Sequence, residues 1–349
     1  MKKTEFLIVG QGLAGTMLAF ELFDRGIDFR IVSSPNKSKA SVVAAGMINP
    51  LVFKRMTKSW MVDDLLPFMQ RRYRQLEVLL NDTFYFQKQI LKPLSEQETE
   101  LWRKKKHQAK FETYIDEILE SPPVEGISDA FAYGLVNGAG YVNLKHFLEK
   151  AEAFFLEKGL LFFNEVQTNT SSGKVFMKDS SDVLAEKIVF CDGYHLHSNS
   201  LFSFVKMNPA KGEVLLIAAT GLSENYILNK KAFVLPVGNG RFKVGSTYEW
   251  DDLSERTTEK GKESILERLD ALLTVDYTIE DHWAGIRPTI ADRRPVLGQH
   301  PQFQNLHVFN GLGTKGVMLA PYFAKEMCNL LTTNNYKLAE EVRIERFST

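Results

Sequence analysis

Gly10-Gln11-Gly12-Leu13-Ala14-Gly15 is a G-x-G-x-x-G run near the start of the 349-residue chain. Glycines at this spacing allow a tight turn, bring backbone close to a pyrophosphate and let a helix pack on a strand. Free N–H groups and the positive end of the helix dipole then hold the anion. The chemistry implied is dinucleotide binding. Ser33 and Ser34 stand where an acidic residue normally binds the ribose hydroxyls. No arginine immediately follows them, so a 2′-phosphate reader is not expected. Other chemistries have less material. Cys191 and Cys328 are the only cysteines and lie far apart, giving no C-x-x-C pair and no zinc cluster. His195 and His197 flank Leu196 without carboxylate or cysteine neighbours, so no metal site is expected.

The elements around the turn fit it. Phe6 to Val9 is a short apolar run suited to a buried parallel strand. Leu13 to Arg25 carries helical apolar spacing and ends at Gly26, and Ile27 to Val32 reads as a second strand. Helices are predicted over Asp63 to Leu80, Glu96 to Glu120, His146 to Lys158 and Thr258 to Leu273, the second closed by Ser121-Pro122-Pro123. Strands are predicted at Leu160 to Phe163, Lys187 to Phe190 and Leu306 to Phe309. Asn239-Gly240 predicts a hairpin between Phe233–Val237 and Arg241–Gly245. A strand, a glycine turn and a helix thus recur at both ends of the chain, with β-hairpin material between. The pattern predicts an α/β fold: a discontinuous Rossmann-type domain from 1–80, 140–208 and 285–349, with an α+β substrate domain on an antiparallel sheet inserted as 81–139 and 209–284.

Three further segments specify the dinucleotide. They are Ser41-Val42-Val43-Ala44-Ala45-Gly46-Met47-Ile48-Asn49-Pro50, then Gly285-Ile286-Arg287-Pro288 running on to Pro295-Val296-Leu297-Gly298, then Asn310-Gly311-Leu312-Gly313-Thr314-Lys315-Gly316. Together with the first turn, the set resembles the D-amino-acid oxidase family of FAD-dependent oxidoreductases. That family includes glycine oxidase, sarcosine oxidase and the oxidase half of the bifunctional tRNA-modifying enzyme MnmC. Weaker matches lie at Gly140-Tyr141-Val142-Asn143, Lys211-Gly212-Glu213, Val234-Leu235-Pro236 and Val244-Gly245-Ser246-Thr247.

The resemblance implies FAD. Its contacts fall on Gly10, Gly12, Leu13, Ala14, Gly15, Ser33, Ser34, Ser41, Ala44, Ala45, Gly46, Met47, Val166, Gly193, Arg287, Gly311, Gly313, Thr314, Lys315 and Gly316. Small residues at 44–46 would let backbone lie against a large flat ring. The glycine turn before Val317 would set a helix N-terminus beside the flavin, favouring the charge of its reduced form. No cysteine follows the Gly-x-Arg-Pro segment, so the FAD is expected to dissociate. The two ends of the chain must then meet around one cofactor.

Two substrate anchors follow from the resemblance. As in glycine oxidase, Arg287 would grip a carboxylate, which suits a guanidinium that stays charged and donates in parallel. As in sarcosine oxidase, Lys315 would do so with Arg55. Either way the substrate is a small anionic amine, losing hydride from its α-carbon to flavin N5 and leaving an imine. Tyr133, Phe233 and Tyr248 are candidates for the pocket wall. Two other readings stand beside this one: an oxidase acting on a modified tRNA base, and a flavin-binding protein without turnover. The electron acceptor is open.

Composition bounds the partners. Lys plus Arg and Asp plus Glu number 43 each, which argues against a broad nucleic-acid surface. The apolar runs are too short to span a membrane, and the start of the chain lacks a cleavage-site pattern. With two isolated cysteines, a reducing cytoplasmic setting is expected.

Overall fold

Thr4–Val9 lies in the middle of a six-stranded sheet, in the order Leu161–Phe163, Phe29–Ser33, Thr4–Val9, Ala185–Phe190, Leu306–Asn310, Val296–Gln299. The first five strands run parallel and the last is antiparallel. The computed structural model describes residues 4–169, 171–178 and 185–347; the lysines at the extreme start lie outside them. Both faces of this sheet are covered, which is why its strands are almost continuously apolar. Phe6, Ile8, Phe29 and Ile31 face the helices Leu13–Asp24, Leu144–Glu157 and Gly316–Thr332. Leu7, Val9, Val32, Ile188 and Phe190 face the other way, against Val175 and Met177 of a small hairpin, Val166–Asn169 with Lys174–Met177. The first and last of the three helices pack on each other, so the two ends of the chain do meet.

The second sheet has eight strands, in the order Thr278–Arg287, Ala210–Ala218, Arg241–Gly245, Phe233–Gly238, Ile227–Asn229, Ile90–Leu94, Ala132–Val136, Ile115–Leu119. All neighbours are antiparallel except Ile227–Asn229 with Ile90–Leu94. Asn239 and Gly240 take φ of 58° and 69°, the primed turn the hairpin needs. Helix Glu259–Asp270 covers this sheet through Ile265 and Leu269, and Thr258 caps it by accepting from Gly261 N at 3.0 Å. A three-stranded ribbon, Met47–Ile48, Gly140–Val142 and Tyr85–Gln87, lies beside the two large sheets. The strand Thr278–Arg287 carries Gly285, Ile286 and Arg287 into the eight-stranded sheet, where they pair with Gly212, Lys211 and Ala210.

One predicted helix is corrected. Glu96 to Glu120 is not a single helix: Glu96–Lys106 and Ala109–Glu112 are helical, but Ile115–Leu119 is an edge strand on Ala132–Val136. The charged run Arg103 to Lys106 gives way at His107, and the β-branched Ile115 and Ile118 then take up sheet pairing. A capping box at Ser95 and Glu98 starts the true helix. Among the described residues no helix is long and apolar enough to cross a membrane.

Candidate active site

A single long cavity runs from the glycine turn at Gly10 to the strand end at Arg287, between the two large sheets. It opens beyond the carboxyl ends of the parallel strands, the usual ligand position of such sheets. Its wall includes Gly10, Gly12, Leu13 and Ala14, then Ser33, Ser34 and Ser41, then Ala44, Ala45, Gly46 and Met47. Val166 and Gly193 join them, as do Gly313, Thr314 and Gly316 from the far end of the chain. Two helices, Leu13–Asp24 and Gly316–Thr332, start at this cavity with no cap from their own N-cap side chains and no acidic residue in the first turn, although Ser41 Oγ accepts from Leu13 N at 3.3 Å. Their N-terminal N–H groups and dipoles therefore favour negative charge inside it. Lys37 and Lys39 add cations to the wall, and Lys39 is shared with Glu152 at 3.2 Å.

Asp192 also lines the cavity, two residues beyond the strand Ala185–Phe190. Asn310 Nδ2 donates to Asp192 Oδ1 at 3.2 Å and to Gly193 O at 3.0 Å, tying two turns together. Burial pushes this carboxyl up to about 6. Asp192, Asn310 and the two lysines were not singled out from the sequence. An acidic residue in the turn just beyond a buried parallel strand, here followed by Gly193, is the signal that would have found Asp192.

Arg287 ends its strand and lines the cavity. Nη1 donates to Lys211 O at 3.0 Å; Nη2 donates to Ser246 Oγ at 2.7 Å and Thr247 O at 3.0 Å. All three acceptors are uncharged, and no carboxylate pairs with Arg287 among the described residues. Burial pulls the guanidinium below the usual arginine range. Gly212 makes room for it, since a Cβ there would overlap the guanidinium itself. Tyr248 covers the other face, its ring centroid 4.2 Å from Cζ. Three of five N–H donors are thus used on neutral partners, which leaves a desolvated cation with unspent hydrogen-bonding capacity.

Three of the expected FAD contacts do not reach the wall. Gly15 packs beneath the turn, where a Cβ would overlap Gly10 O, so its smallness serves the helix–strand contact. Gly311 lies against Ile290. Lys315 spends its ammonium elsewhere, donating to Asn49 O at 2.7 Å and Ser59 Oγ at 3.0 Å. Burial pushes it down to about 8. Arg55 is exposed on a loop and does not join it at the cavity. The pairing of Lys315 with Arg55 is therefore not assembled, because the lysine is held by the 49–59 loop. Gly46 faces the cavity, yet a Cβ there would overlap Val142 O, so its lack of a side chain is required by the ribbon as well. Phe233 and Tyr248 line the cavity; Tyr133 does not, its hydroxyl donating to Ser128 O at 3.2 Å within the second sheet. Among the described residues no group of three or more His, Cys, Asp or Glu could hold a metal ion.

Known proteins are similar to this chain in sequence and fold. The chain is 23% identical over 376 residues to the tRNA 5-methylaminomethyl-2-thiouridine biosynthesis bifunctional protein MnmC of Idiomarina loihiensis, a match covering 99% of this chain and 59% of that one. It is 29% identical to the glycine oxidase of Bacillus subtilis over 41% of this chain and 40% of the other. The chain thus spans less than two thirds of these curated relatives. The fold matches the crystal structure of glycine oxidase from Geobacillus kaustophilus at a TM-score of 0.81, with 20% identity and 98% of each chain covered. Over residues 5–330 the sequence matches the FAD dependent oxidoreductase family designated DAO, and the chain belongs to that family.

Proposed function

We propose that the protein oxidises a small amine or amino acid carrying a carboxylate, with Arg287 as the carboxylate anchor. The observation that carries this reading is a cavity-lining arginine whose guanidinium has three neutral partners and, among the described residues, no counter-charge. FAD is the family cofactor, and the residues present fit it. The turn Gly10 to Ala14 and the N-terminus of Leu13–Asp24 would hold the pyrophosphate. Ser33, Ser34, Val166 and Gly193 would surround the adenosine, and Ala44 to Met47 with Gly313 to Gly316 would border the flavin ring. When bound, the flavin accepts the hydride that leaves the substrate α-carbon. The chain supplies orientation: Arg287 fixes the carboxylate, Tyr248 and Phe233 exclude water, and the N-terminus of Gly316–Thr332 supplies a field for developing negative charge. On this reading, 1–80, 140–208 and 285–349 form the cofactor unit, and 81–139 with 209–284 form the substrate unit. The cofactor is dissociable, since Cys191 lies beside Gly10 at the glycine turn and Cys328 is buried within the helix Gly316–Thr332, so neither cysteine stands among the residues assigned to the flavin ring.

The match to the tRNA-modifying relative over 99% of this chain supports a second reading, an amine borne on a modified tRNA base. One experiment separates the two. The FAD-loaded protein is mixed anaerobically with amino acids, simple amines and unfractionated tRNA, and flavin absorbance is followed. Bleaching by a free amino acid supports the first reading, and bleaching by tRNA alone supports the second.

A further inference from the structure

We infer that the substrate carries a planar apolar group beyond its carboxylate and amine, and that Tyr248 with Trp250 forms the platform on which this group stacks. The inference rests on Arg287 as the anion anchor. The guanidinium lies between Gly212 and the Tyr248 ring, 4.2 Å from the ring centroid. Tyr248 in turn stacks on Trp250, with centroids 6.0 Å apart and planes 27° from parallel. Both rings are 53% exposed, although Tyr248 lines the cavity. A stair of flat groups therefore climbs from the buried cation to solvent.

The platform is held rigidly. Lys211 and Glu249 exchange backbone hydrogen bonds at 2.8 and 3.1 Å. The buried ammonium of Lys211 pairs at 2.5 Å with Asp252, two residues after Trp250 in the chain. Glu249 Oε1 accepts from Trp250 N at 2.8 Å and Asp251 N at 3.0 Å, and Arg287 holds Thr247 O. The segment from 247 to 252 is thus pinned on both sides of each ring. Two large rings fixed in water and continuous with an anion site are suited to a ligand that covers them. A purely aliphatic amino acid would leave Trp250 uncovered.

The test uses the FAD-loaded protein and three acids that lack an amine: acetate, cyclohexylacetate and phenylacetate. Affinity is read from the change in flavin absorbance. Phenylacetate is expected to bind more tightly than both of the others, by about threefold to tenfold over acetate, the size of one aromatic pair. Trp250→Ala is expected to collapse the phenylacetate-to-acetate ratio, and Trp250→Phe to restore most of it. Equal affinity for acetate and phenylacetate would remove the platform while leaving Arg287 as anchor. Tighter binding of cyclohexylacetate would show an apolar pocket without stacking and overturn the inference. An unchanged ratio in Trp250→Ala would also overturn it. Binding of none of the three would remove the anchor and the platform together.

Discussion

Arg287 and Lys315 are both desolvated without a charged partner among the described residues, and they differ in what remains free. Arg287 lines the cavity and keeps N–H donors unused after bonding three neutral oxygens. Lys315 is turned into the fold and bonded to Asn49 O and Ser59 Oγ. An ammonium in that position acts on stability and can be read by titration. Burial pushes Lys315 down to about 8 from 10.5. Between those values the folded chain has released the proton while the unfolded chain still binds it. Stability therefore rises with pH through that window, and the charged form carries its full desolvation penalty below it. Lys315→Met is expected to flatten this rise, by about 3 kcal/mol at most across the window. Parallel denaturant titrations of parent and variant from pH 7 to 11 check it; identical slopes would mean that the lysine is better solvated than its surroundings indicate.

The strand, glycine turn and helix at each end of the chain were legible because the apolar period changes from continuous to helical across a few glycines. Gly15 illustrates the strength of that signal. Its α-hydrogen faces Gly10 O so closely that a methyl group there would overlap the oxygen. Gly15→Ala is expected to displace the helix Leu13–Asp24 from the sheet and lower both FAD content and melting temperature, with a cost of roughly 1–3 kcal/mol from overpacking. FAD content measured per chain after gel filtration, with a melting curve, checks it; full occupancy at an unchanged melting temperature would contradict the tight turn. Segments whose local preference was overruled were not legible. Glu96 to Glu120 has the composition of a long helix, yet Ile115–Leu119 is drawn into pairing with Ala132–Val136, a contact the local sequence does not announce.

At the scale of the molecule, the site is made by bringing together parts distant in sequence. Gly10 to Ala14, Ser41 to Met47, Gly285 to Arg287 and Gly313 to Gly316 carry their own glycine or small-residue signals, and they line one cavity. What decides the state of Arg287 carries a weaker signal, in Lys211-Gly212-Glu213 and Val244-Gly245-Ser246-Thr247, and nothing in it announces the contacts. Lys211 O, Ser246 Oγ and Thr247 O reach it only because Thr278–Arg287 and Arg241–Gly245 flank Ala210–Ala218 in the second sheet. Likewise the capture of Lys315 by Asn49 and Ser59 depends on a loop some 260 residues earlier in the chain, so the lysine looks in sequence as free as the arginine. The most direct test of the account is the rate of anaerobic flavin reduction by a carboxylate-bearing amine that bleaches the parent, compared in the parent and in Arg287→Gln with equal FAD content. Loss of a buried charge-assisted partner costs about 2–5 kcal/mol, so Arg287→Gln is expected to react at least ~30-fold more slowly at subsaturating substrate. Reduction of Arg287→Gln at the parent rate would contradict the assignment of Arg287 as the substrate anchor.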